Sequence, residues 1–120
     1  MSKSSDLSNK RSIYYAFKEN INNTASQIKS IVDELDSPIK NIVETYIIDE
    51  DSGDKYKLKR IQAELKEKYN LLITQTIPAI ETKISSITKE IEAAIREEEE
   101  ARKLAEATRK EKAREYNGKN

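Results

Sequence analysis

The side chains of this 120-residue sequence that invite a chemical reading are six tyrosines, a run of glutamates from Glu97 to Glu100, and the basic residues Arg102, Lys103, Arg109, Lys110, Lys112 and Arg114 after it. Each fails a specific requirement. A nucleophile needs a base beside it, and the sequence has no His, no Cys and no Gly-rich loop to cradle a phosphate. Carboxylates on successive residues point around a helix and cannot converge on one cation. The basic series is interrupted by Glu106, Glu111 and Glu115, and no aromatic is interleaved before Tyr116 to stack on bases. Acidic and basic residues balance at 22 each, so no net field draws the chain to nucleic acid or an anionic surface. The expectation is a non-enzymatic protein with no catalytic residue, metal ligand or cofactor.

The elements carrying these residues are helical. Tyr14, Phe17, Ile21, Thr24, Ile28, Ile31, Leu35, Ile39, Ile42 and Tyr46 recur at steps of three and four, the signature of one helix face. Leu58, Ile61, Leu65, Tyr69, Ile73, Ile77, Ile80, Ile84, Ile87 and Ile91 repeat the pattern in the second half. The two stripes are mirror images about Ser52, which predicts an antiparallel hairpin with Phe17 against Ile87, Leu35 against Tyr69, and Ile42 against Ile61. Apolar residues amount to only 36%, too few for a globular core of this length and enough for an elongated helical form. The predicted fold is all-α: a long, coiled-coil-like hairpin with a C-terminal helical extension.

Boundaries follow from helix breakers and caps. Residues 1–9 are Ser-rich and read as a flexible N-terminus, with helix A beginning near Ser8 and its stripe reaching Ile48. The segment Asp49-Glu50-Asp51-Ser52-Gly53-Asp54 places the turn at 50–54, centred on Ser52 and Gly53. Pro38 and Pro78 interrupt unbroken stripes, so both predict kinks; Ser37 as the cap of a separate helix is the alternative at Pro38. The hairpin spans 10–95. Residues 96–120 form a charged extension in which Glu92 with Arg96, Glu98 with Arg102, Glu99 with Lys103 and Glu106 with Lys110 stand at the favourable four-residue spacing.

Beside the stripe, Val32, Val43, Ile47 and Ile48, with Leu71 and Leu72, widen the apolar surface beyond what two helices bury between themselves. These six residues are the predicted partner-binding face, because an uncovered apolar band marks an interaction site. The occupant is either a helical partner protein or a second copy forming a homo-oligomeric coiled-coil spacer. No N-terminal apolar run reads as a signal peptide, and no stretch reads as a membrane span. The expected location is the cytoplasm, a reading that leaves open export with a partner by a route that needs no cleaved signal.

A His-free and Cys-free hairpin with a Gly-containing turn, Asp51-Ser52-Gly53, resembles the Trp-x-Gly family of type VII secretion substrates. It resembles still more the longer helical partner proteins of LXG toxins in Gram-positive bacteria. Gly53 stands where that family's motif has its Gly, and the Trp is missing. The family's Tyr-x-x-x-Asp/Glu export signal follows its second helix, whereas here that spacing occurs only at Tyr15 with Glu19 and Tyr46 with Glu50, both in helix A. The resemblance implies a chaperone or targeting factor that lays its helices along the helical N-terminal domain of a larger toxin, with a second small helical protein as a further partner.

Overall fold

The computed structural model describes residues 2–42 and 53–118. Their elements are α1 (Lys3–Glu34), α2 (Asp36–Asn41), α3 (Asp54–Leu71), a π-helical turn over Leu72–Thr76, and α4 (Ile77–Gly118). The class is all-α, with antiparallel pairing of long helices and a helical extension. The chain divides into two compact units: Met1–Ile13 with Ile84–Asn120, and Tyr14–Lys83.

In the first unit Ser4 bonds Glu98, and further along α1 Arg11 Nη1 donates to Thr88 Oγ1 at 3.3 Å. Numbers rise on α1 as they fall on α4, so the pair is antiparallel. Ile84, Ile87, Ile91 and Ala94 are buried along one face of α4, and Ser4, Leu7 and Arg11 answer them half-buried on α1. Helix formation at Lys3 corrects the expectation of a flexible segment over residues 1–9. The physical reason is Glu98, which accepts from the Ser4 amide and hydroxyl and so satisfies a first-turn donor that has no partner within its own helix. From Glu99 to Gly118 every residue is exposed, which makes that part of α4 a solvated single helix.

In the second unit Lys18 Nζ stands 3.7 Å from Glu81 Oε1, and Gln62 Nε2 donates to the Val32 carbonyl at 2.8 Å and to Asp36 Oδ1 at 2.6 Å. The pairing is again antiparallel, but its register differs from the mirror about Ser52. That mirror would set Gln62 beside Ile42, and Gln62 lies at Val32 and Asp36 instead. The seam residues of α1 are Tyr14, Lys18, Ile21, Ala25, Ile28 and Val32, continuing through Leu35 to Ile39. They step by four and three without interruption, the spacing of a coiled-coil seam. Phe17 and Ile31, placed in the seam by the sequence pattern, are 49% and 46% exposed; Val32 is 6% exposed.

Both prolines distort their helices in identifiable ways. At Pro38 the interruption is one residue, Leu35, whose φ of −73° and ψ of −17° remain helical. Amide hydrogen bonds flank it, Leu35 to Ile31 at 3.0 Å and Ile39 to Leu35 at 3.1 Å, so direction is carried through a kink. Ser37 does not cap. At Pro78 the ring would collide with the carbonyl of Thr74 in a regular α-helix. A π-turn precedes it, in which the Ile77 amide donates to the Leu72 carbonyl five residues back. Before this turn the seam runs Lys55, Leu58, Gln62, Leu65, Tyr69, Leu72, and after it Ile77, Ile80. Each run keeps its three-four alternation, and the π-turn takes up the one extra residue between them.

Helix α2 ends at Asn41, with Ile42 extended at ψ 121°; the rest of the predicted reach, from Val43 to Ile48, lies outside the described residues. Gly53, extended at φ −70° and ψ 151°, is the N-cap of α3. Most of the predicted turn at 50–54, including Ser52, lies outside the described residues.

Candidate docking interface

The described residues offer surfaces and no reaction centre: they contain no buried polar or charged side chain and no group of three His, Cys, Asp or Glu able to hold a metal ion. No helix among them is long and apolar enough to cross a membrane. Tyr14 and Tyr69 are half-buried seam residues, which is ordinary packing for an amphipathic ring.

The surface geometry of the second unit follows from its seam. Phe17, Thr24 and Ile31 each precede a seam residue, Lys18, Ala25 and Val32, and so align at seven-residue intervals along one flank of α1. Ile61 precedes Gln62 in the same way on α3. In an antiparallel pair such positions lie on the same side, and Leu71 stands further out on that side. All are exposed: Ile61 at 46% and Leu71 at 44% match Phe17 and Ile31. Four large apolar side chains therefore stand in solvent along one flank. Full burial of such a side chain is worth roughly 1.5–3 kcal/mol, so with each already about half covered, about 1 kcal/mol apiece is left unclaimed by this chain alone.

The predicted partner face is corrected accordingly. Val32 is buried in the seam, and Leu72 is half-buried there. Of the six predicted residues, Leu71 alone among those described lies open on the flank; Val43, Ile47 and Ile48 lie outside the described residues. Phe17, Ile31 and Ile61 are exposed beside it, whereas Val32 and Leu72 are not. Regularity is the signal that finds them. The stripe through Phe17 and Ile31 takes two successive four-residue steps, Ile31 to Leu35 to Ile39, whereas the stripe through Lys18 and Val32 alternates throughout. A seam that admits Lys18 looks worse by hydrophobicity and better by period.

The first unit contributes one charged site with defined geometry. Glu98 Oε1 accepts from the Ser4 amide at 3.0 Å and Oε2 from the Ser4 hydroxyl at 2.7 Å. The hydroxyl bond first, then the amide bond, with Arg102 nearby as a lesser contribution, hold the Glu98 carboxyl below the usual glutamate range. The arrangement is a helix cap supplied by the neighbouring helix. It takes Glu98 from its expected ion pair with Arg102, while Glu106 and Lys110 do approach, at 3.8 Å.

No family model, curated protein or solved structure matches the chain.

Proposed function

We propose that this chain is a non-enzymatic helical adaptor that receives a helix of a larger protein along the flank formed by Phe17, Ile31, Ile61 and Leu71. The observation that carries the reading is the exposure of these four side chains on one side of a pair whose seam is already filled. Packing of a further helix into such a flank follows ordinary helix-on-helix rules, with apolar anchors at seven-residue spacing. Following the resemblance to the partner proteins of LXG toxins, the larger protein is the helical N-terminal domain of such a toxin, and the adaptor accompanies it to the type VII secretion machinery.

The test is co-purification of the chain with the helical N-terminal domain of an LXG toxin. Phe17→Asp and Ile31→Asp place a carboxylate among the contacts while leaving the seam untouched. Each should weaken capture at least tenfold, about 1.4 kcal/mol, with helicity unchanged. Retained capture by both variants excludes the flank as the docking site.

A further inference from the structure

The opposite flank of the second unit carries a different pattern. Residues 20–28 of α1 contain no side chain charged at neutral pH, and neither do residues 69–80 across the end of α3, the π-turn and the start of α4. The chain as a whole is 37% charged, so two such stretches stand out. They begin at one level, because Lys18 and Glu81, just outside each, are ion-paired. Together they form a charge-free band across both helices.

On the flank opposite Phe17, the surface positions are those that follow a seam residue: Asn22 after Ile21, Lys29 after Ile28, Lys66 after Leu65, Ile73 after Leu72 and Glu81 after Ile80. Glu19 and Ser26 lie beside them on α1. All are exposed, and Ile73, at 40%, is the large apolar residue in the middle. The charges bounding the band on this flank are ordered. Glu19 and Glu81 stand at one edge, and Lys29 and Lys66 at the other. Glu19 and Lys29 are symmetric about residue 24, about 15 Å apart at 1.5 Å per residue. Lys66 and Glu81 are symmetric about the position beside Ile73.

We propose that two copies of this chain meet on this flank, antiparallel, across a two-fold axis perpendicular to the helices and passing beside Ile73. A two-fold axis sets a surface against itself, which penalises a flank of one charge sign and rewards one whose two edges are opposite. Here the rotation brings Glu19 to Lys29 of the other copy, Glu81 to Lys66, and Ile73 to Ile73. Between them Asn22 faces Ser26; neutral amides and hydroxyls both donate and accept, so they pair with their own kind. A charged partner helix would instead leave its ionised groups buried against the band without counter-charges. The arrangement goes beyond the adaptor reading and stands independently of it, since it leaves the Phe17 flank open in each copy.

The test uses the full chain, in which the absence of native Cys makes single-cysteine variants unambiguous. Ile73→Cys should oxidise to a disulfide-linked pair of chains, while Thr24→Cys, on the opposite flank, should remain single. By sedimentation, the unmodified chain should associate reversibly towards twice its mass. Glu19→Lys turns two attractive contacts per pair of chains into two repulsive ones and should weaken association about tenfold. Adding Lys29→Glu to it should restore the affinity. A chain that stays monomeric at all concentrations, equal cross-linking from Thr24→Cys, or a double variant no better than the single one overturns the proposal. Failure of the unmodified, dimeric chain to capture the toxin domain would count against the adaptor reading alone.

Discussion

Ile31 and Val32 are adjacent in sequence and opposite in role, so the same substitution at each gives the sharpest test of where the seam lies. Val32 is 6% exposed in the second unit, and its carbonyl accepts from Gln62 at 2.8 Å. Val32→Asp forfeits roughly 1.5–3 kcal/mol of apolar burial and adds an unpaired carboxylate, whose desolvation costs several kcal/mol more. The sum is comparable with the ~5–15 kcal/mol that holds a typical domain together. Ile31 is 46% exposed, so an Asp there keeps its carboxylate in water and loses about half of one side chain's burial, roughly 1 kcal/mol. Urea unfolding followed by far-ultraviolet circular dichroism measures both. Val32→Asp should unfold in buffer or very early in the titration, and Ile31→Asp should stay close to the parent. Equal destabilisation, or a larger loss at Ile31, refutes the seam assignment and reinstates the stripe through Phe17, Thr24 and Ile31.

Two further outcomes follow from the caps and the π-turn. Because hydrogen bonds from Ser4 lower the Glu98 carboxyl in the folded chain, its contribution is fully present above the unfolded glutamate value of about 4.3 and is lost as pH falls through the lowered folded value. Amide exchange near Ser4 should therefore quicken only in acid, and Glu98→Gln should quicken it at neutral pH and flatten the dependence. Removing Thr74 together with Pro78→Ala should convert the π-turn to regular α-helix with the seam in phase, leaving stability within about 1 kcal/mol of the parent. Removing Ser86 instead throws Ile84 and Ile87 out of phase and should unfold the first unit, as thermal unfolding would report.

The class, the antiparallel pairing and the existence of the extension are legible because 3.6-residue periodicity survives any local choice of phase. The phase itself is harder to read. Hydrophobicity alone favours Phe17, Thr24 and Ile31 over Lys18, Ala25 and Val32, since a seam lysine and a small alanine look like errors. Yet Lys18 buries its aliphatic stem and carries its ammonium out to Glu81, and Ala25, small as it is, is 2% exposed. In the second half, the consecutive four-residue steps from Ile61 to Ile77 already register an inserted residue. A continuous helix would spread that drift over several turns; Pro78 concentrates it at Leu72–Thr76.

The same logic explains why the predicted interface was displaced rather than merely incomplete. Moving the seam by one residue on α1 exchanges Val32 for Ile31 and turns Phe17 outward, so a shift of phase changes which residues are exposed and available to a partner. A charge-free band is immune to this error, because Asn20 to Ile28 and Tyr69 to Ile80 lack charge on every face, whichever way the helix is turned. Where charge is withheld over more than two full helical turns in a chain otherwise rich in it, the constraint acts on the outside of the helix as well as the seam, since a seam needs neutrality only at its own positions. If the band meets a second copy as proposed, neutral substitutions on the middle of the second unit should be tolerated and single charges there should disrupt association.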